Sequence, residues 1–129
     1  MSKVYVQTSV GELIDKMTIL EIKKEKISDK NSLTIINKEY SSLEESIKKD
    51  VKMSNEIKKL WSELKKINLK LWEIEDGIRL CEKNKKFDEK FIEFARSVYK
   101  CNDIRSKLKL QINQLSGSNL QEVKQYTKY

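Results

Sequence analysis

The sequence predicts an all-α bundle built on a long antiparallel helical hairpin, with a short extended arm in front of it. Three observations carry this reading. Apolar residues recur at steps of three and four through most of the chain. The longest such run, Ile57, Leu60, Leu64, Ile67, Leu71, Ile74, Ile78 and Cys81, is unbroken and describes a helix packed along its whole length. Helix breakers are scarce, with no Pro and only Gly11, Gly77 and Gly117 as glycines. Charged residues make up 36% of the 129 residues, which suits helices with solvated faces. This length fits one domain over residues 1–129.

The elements follow in chain order. Lys3–Thr8 (KVYVQT) alternates apolar and polar residues, is too short for a sheet of its own, and is expected to lie along the bundle as an extended arm. Ser9 reads as a helix N-cap, and Glu12 completes a capping box. The first helix covers about residues 9–27, with Val10, Leu13, Ile14, Met17, Leu20 and Ile27 on its buried side. Asp15, Lys16, Thr18, Glu21 and Glu25 fall among its polar residues, and Glu12 and Asp15 suit the positive end of the helix dipole. A turn at Ser28–Asn31 precedes a second helix over about 32–49, whose apolar face is Leu33, Ile36, Tyr40, Leu43 and Ile47. After the polar break Asp50–Asn55, Ser54 caps a third helix of about 54–84. The connection Asn84–Phe87 is so short that the fourth helix, about 88–115, must return antiparallel. Asp88 is its N-cap, with Phe87 stapled against Ile92. Ser116–Gly117 ends it, and the polar tail 116–129 is expected to pack loosely.

With the turn centred between residues 85 and 86, facing residues of the hairpin have numbers adding to about 171. This places a polar layer of Asn68, Asn102, Asp103 and Arg105 across the core. A second layer is expected nearer the turn, where Glu73, Glu75, Asp76 and Arg79 share the stretch Leu69–Cys81 and Arg96 lies opposite. Leu69, Trp72 and Leu80 add a second apolar face to that stretch, so it reads as buried on two sides. Charges in such a place must be paired or put to use. Polar layers fix helix register, but desolvated carboxylates beside arginines also describe ligand sites. The candidate ligand-binding residues are Asp15, Lys16, Thr18, Glu21, Glu75, Asp76, Arg79, Asn102, Asp103 and Arg105. An anionic small molecule is a candidate ligand for Lys16, Arg79, Arg96 and Arg105.

Composition narrows the chemistry. There is no His, which excludes a His-containing zinc site and any His-based triad. Cys81 and Cys101 lack CxxC spacing and stand about 16 Å apart along the hairpin, so two free thiols are expected. No metal or cofactor is required by the leading reading. Mg²⁺ enters only if Glu21 and Glu25 face Glu73 and Asp76 as two carboxylate pairs. Glu73 and Asp76 are similar to half of the signature of all-α nucleoside-triphosphate pyrophosphatases, and Glu21 and Glu25 depart from the other half. The net charge is +7, from 27 basic and 20 acidic residues. Lys58, Lys59, Lys65, Lys66 and Lys70 meet Arg105, Lys107 and Lys109 at one end of the hairpin, a basic end suited to salt-sensitive polyanion binding. Nucleic acid is not the expected partner, because only Trp61 interleaves these lysines for base stacking. With no secretory leader and no apolar run approaching ~18 residues, a cytoplasmic protein without a membrane span is expected.

Four strings, SVGELIDKMTILEIK (9–23), LWEIEDGIR (71–79), FIEFARSVYKCNDIRSKLKLQIN (91–113) and GSNLQEVKQY (117–126), resemble a small uncharacterised bacterial family, the domain-of-unknown-function family number 6165. Its pattern falls here on Gly11–Lys16, on Leu71–Arg79, and on Asn102, Asp103 and Arg105. The resemblance implies the fold and the importance of these polar blocks, and names no reaction. Related segments beside tetratricopeptide-repeat and glycosyltransferase proteins imply a link to surface-polysaccharide systems. The leading expectation is a non-enzymatic binding or assembly module with a protein partner, a second copy or a small ligand. The alternatives are a Mg-dependent hydrolase, or other enzyme, acting on a nucleotide or phosphorylated small molecule, and a polyanion binder.

Overall fold

The computed structural model describes residues 2–129, and among them the chain is an all-α bundle. Its helices are α1 (Val10–Lys26), α2 (Lys30–Asp50), α3 (Asn55–Lys83) and α4 (Glu89–Ser116). Side chains cap the starts of α1, α2 and α3, whereas Asp88 at the start of α4 makes no capping hydrogen bond. Ser9 accepts from the Glu12 amide at 3.1 Å, and Ser54 accepts from the Ile57 amide at 3.2 Å. Gly117 closes α4 in the left-handed region at φ 66°, which a glycine adopts without steric cost.

Local details differ from expectation for identifiable reasons. The capping box at α1 is half formed, because Glu12 turns instead to the Lys109 ammonium at 2.7 Å. α2 begins earlier than expected, since Asp29 caps it by accepting from the Ser32 amide at 2.9 Å. That backbone hydrogen bond holds the Asp29 carboxyl below its ordinary range. Phe87 does not staple Ile92. It packs edge-on against Phe91, with ring centroids 5.2 Å apart, and leaves Ile92 exposed.

α3 and α4 form the antiparallel hairpin in the predicted register. Gly77 lies under the Phe94 ring, where a Cβ would come within 2.6 Å of it. The spatial centre, however, is α1, which packs on α2, α3 and α4, while α2 packs on α1 alone. α1 crosses the hairpin. Near its start, the Gly11 amide donates to Asn113 Oδ1 on α4 at 2.7 Å. Near its end, Trp61 Nε1 on α3 donates to Glu21 at 2.9 Å, and Lys65 Nζ donates to Glu25 at 2.7 Å. Ile14, Met17, Leu20 and Ile22 are all buried, as are Asp15 and Thr18. Ile22 was not on the expected apolar face, and Asp15 and Thr18 were placed on the polar one. A helix with three neighbours has no wholly solvated side over these turns, so a single-face reading of it fails.

The core joins Ile14 and Met17 to Ile47, Ile57, Leu64, Leu108 and Ile112. Each such side chain contributes about 1.5–3 kcal/mol by leaving water. Beyond the reach of α1 the hairpin stands free. Glu73, Glu75, Asp76 and Arg79 are exposed, and Leu80 is 58% exposed. The expected burial of this stretch on two faces is therefore corrected: one face meets α4, and among the described residues nothing covers the other.

The two termini also behave differently. Residues 2–8 have no regular structure, and Val4, Tyr5 and Val6 stand exposed rather than along the bundle. The tail returns along α4, with Glu122 2.8 Å from the Lys109 ammonium and the Tyr129 hydroxyl donating to Asp103. That hydrogen bond pushes the Tyr129 phenol up to about 12. Cys81 and Cys101 are both free. Among the described residues, no helix is long and apolar enough to cross a membrane.

Candidate functional site

The most constrained polar group is the Asp15 carboxylate, 3% exposed and met by side chains from α3 and α4. Arg105 grips it in bidentate fashion, Nε donating to Oδ1 at 2.9 Å and Nη2 to Oδ2 at 2.5 Å. Asn68 Nδ2 donates to the same Oδ1 at 2.9 Å and to Thr18 Oγ1 at 2.8 Å. The Thr18 hydroxyl donates in turn to the Asp15 backbone carbonyl at 2.7 Å. A carboxylate only accepts, so the Asn68 amide orientation follows from chemistry. The hydrogen bonds to Asp15 hold the Arg105 pKa above its ordinary value, against the opposing effect of burial. The cluster fixes the crossing of α1 over the hairpin, because each partner would be left buried and unpaired without the others.

Beside this cluster opens a cleft of about 450 Å³. Ile19 and Ile22 of α1, Leu71 and Trp72 of α3 and Val98 of α4 make its apolar wall. Asn68, Asn102 and Arg105 supply its inner polar groups, and Glu75, Asp76 and Arg79 its rim. Arg105 Nη1 leans toward Asn102 Oδ1 at 3.5 Å, while Arg79 donates to Glu75 one turn away.

Most of the predicted site residues meet here. Asn102, Arg105, Glu75, Asp76 and Arg79 line the cleft, and Asp15 and Thr18 lie in the cluster that holds Asn68 and Arg105. Three others go elsewhere. Lys16 bridges to Glu39 on α2 at 3.0 Å in solvent, Glu21 accepts from Trp61, and Asp103 accepts from Tyr129. The second polar layer does not form as expected, since Glu75 pairs with Arg79 on its own helix rather than with Arg96. Asn68 and Trp72 were missing from the candidate residues. Their signal was the spacing of Asn68, Trp72 and Asp76, steps of four that keep the three within about a quarter turn of one another on α3.

The geometry also bears on the other chemistries. Glu21, Glu25, Glu73 and Asp76 do not gather. Lys65 lies 3.6 Å from Glu21 and 2.7 Å from Glu25. Among the described residues, no three His, Cys, Asp or Glu side chains are grouped to hold a metal ion. At the basic end, Arg105, Lys65 and Lys109 are already engaged by carboxylates. Burial alone would lower the Lys109 pKa, but its hydrogen bonds to Glu12 and Glu122 outweigh it and hold the value above the ordinary one. Lys58, Lys59, Lys66, Lys70 and Lys107 remain exposed.

No curated protein and no solved structure matches the chain. A family model does, over residues 4–129, so the Asp15 cluster and the whole cleft lie within the matched region. The chain belongs to the family of unknown function DUF6165.

Proposed function

We propose that this chain is a non-enzymatic binding module whose site is the cleft between α1, α3 and α4. One observation carries the reading: Arg105 is locked by a buried carboxylate, yet it still lines an open, apolar-walled cleft. A donor held in place before any ligand arrives loses little freedom on binding. The volume suits a small molecule, and an apolar wall with a few convergent polar groups is the usual makeup of such sites. Surface-polysaccharide chemistry is one setting for the ligand, so sugar nucleotides belong among the first compounds tried.

The test is a thermal-shift screen of the purified chain over nucleotides, sugar nucleotides, small amines and divalent ions. A ligand of the folded state raises apparent stability by about 2.7 kcal/mol at a hundredfold excess over Kd. The shift is expected to disappear in Val98→Trp, which fills the cleft. A shift that survives this substitution unchanged places the binding elsewhere. A second reading, assembly with a protein partner or a second copy, is favoured by the exposed Leu80, Phe87 and Ile92 near the hairpin turn. Sedimentation of the wild type against Leu80→Lys tests it, with a fall in mass expected only if that end of the hairpin is an interface.

A further inference from the structure

The charge of the cleft is the reverse of what the whole protein suggests. The chain carries +7, but Arg105 is balanced by Asp15 and Arg79 by Glu75. Asp76 is the charge left over among the lining residues. An anion entering the cleft would have to compete with carboxylates already holding both guanidinium groups. It would also meet Asp76 as a like charge.

The inner end asks for something more specific. Asn68 is 6% exposed, and both hydrogens of its Nδ2 are used on Asp15 and Thr18. Its Oδ1 receives no hydrogen bond from the described residues, while no fully buried side-chain oxygen or nitrogen lacks a partner. That Oδ1 therefore opens into the cleft that Asn68 lines. It is an acceptor waiting for a donor, and leaving it dry and unpaired beneath a bound ligand would be costly. Arg105 Nη1, tied only by its 3.5 Å approach to Asn102, offers a donor in the same cleft. One neutral group that both donates and accepts, a hydroxyl or a carboxamide, satisfies the two together.

The geometry points to a ligand that is neutral or cationic: a small molecule with a hydroxyl or carboxamide at its buried end, an apolar middle, and a basic amine at its outer end. The buried group bridges Asn68 Oδ1 and Arg105 Nη1. The middle lies against Trp72 and Val98. The amine meets Asp76 at the rim. This rests on the cleft being the binding site and specifies what it takes.

Three probes matched in size separate the parts: trans-4-aminocyclohexanol, cyclohexylamine, and the anion of trans-4-hydroxycyclohexanecarboxylic acid. Titrations followed by the side-chain N–H signals of Asn68 and Trp72 read binding at the cleft directly. The amino alcohol is expected to bind at least tenfold more tightly than the hydroxy acid, and more tightly than the amine that lacks the hydroxyl. Asp76 is exposed, so Asp76→Asn should leave the fold intact while removing the preference for the amine over the acid, and Asp76→Lys should reverse it. Tighter binding of the acid to the wild type, or no response of either signal to the amino alcohol at millimolar concentration, overturns the inference. Neither result touches the broader reading of the cleft as a site, which falls if the compounds that stabilise the protein leave these signals unmoved or stabilise Val98→Trp equally well.

Discussion

Leu64 and Leu80 lie on the same helix, α3, and they meet opposite fates. Leu64 is 0% exposed and Leu80 is 58% exposed. Between them, steps of four pass through Asn68, buried, Trp72, half-buried, and Asp76, exposed, each step turning about 40° further around the helix. This line winds about 160° around the helix, from core to cleft to solvent. Two causes combine: the line turns away from the core, and α1 crosses the hairpin at one end and leaves the other uncovered. The lesson is that a repeating apolar stripe identifies a helix face, while burial depends on whether a third element arrives to cover it.

The sharpest way to break this comparison is to remove the charge at its covered end. Asp15→Ala leaves Arg105 and Asn68 without their shared partner in a buried site and should cost about 3–5 kcal/mol in chemical denaturation. The matching change at the bare end, Asp76→Ala, should fall within about 0.5 kcal/mol. Next comes the leucine pair. Leu64→Ala should cost about 2–5 kcal/mol through the cavity it leaves, and Leu80→Ala about 0.5 kcal/mol or less. Equal costs would mean that the far half is covered in solution.

The two helical glycines sharpen the contrast further. A Cβ at Gly11 would lie 2.5 Å from the Lys109 carbonyl oxygen, which is backbone and cannot swing aside. Gly11→Ala should therefore push α1 off α4 and cost about 1–3 kcal/mol, a value set by overpacking. At Gly77 the obstacle is the Phe94 ring, a side chain in the freer half of the hairpin. Gly77→Ala should cost less, because a ring can shift where a backbone carbonyl cannot; the roughly 1 kcal/mol gain in helix propensity is common to both sites.

The smallest effect concerns the tail. The hydrogen bond from Lys109 holds the Glu122 carboxyl below its ordinary value. The stability it contributes is present above the unfolded carboxylate range and is lost as pH falls through the lower folded value. Glu122→Gln should cost less than about 1 kcal/mol at neutral pH and remove the acid-induced loosening of the tail, as read from the Tyr129 ring signals.

Helix content, caps and hairpin register were legible in the sequence because they depend on local chemistry. Ser9, Ser54 and Gly117 end helices by hydrogen bonds or backbone geometry that involve a few neighbouring residues. The register followed from the short link between α3 and α4, and Gly77 under Phe94 agrees with it. The position of α1 was not legible, since no local pattern states how many neighbours a helix has. Asp15 and Thr18 read as solvated for that reason, and Glu73 and Arg79 read as buried. The polar residues of the cleft, Asn102 and Arg105, stood out as interruptions of an apolar seam. Its apolar wall did not, because Trp72 and Val98 look in sequence like any core residues.

The most direct test is amide hydrogen exchange resolved along α3. The account predicts strong protection through Leu64 and Asn68, a fall across Trp72 and Asp76, and fast exchange from Arg79 to Lys83. Protection that stays level from Ile57 to Leu80 would contradict it, and would show that something covers the far half of the hairpin in solution.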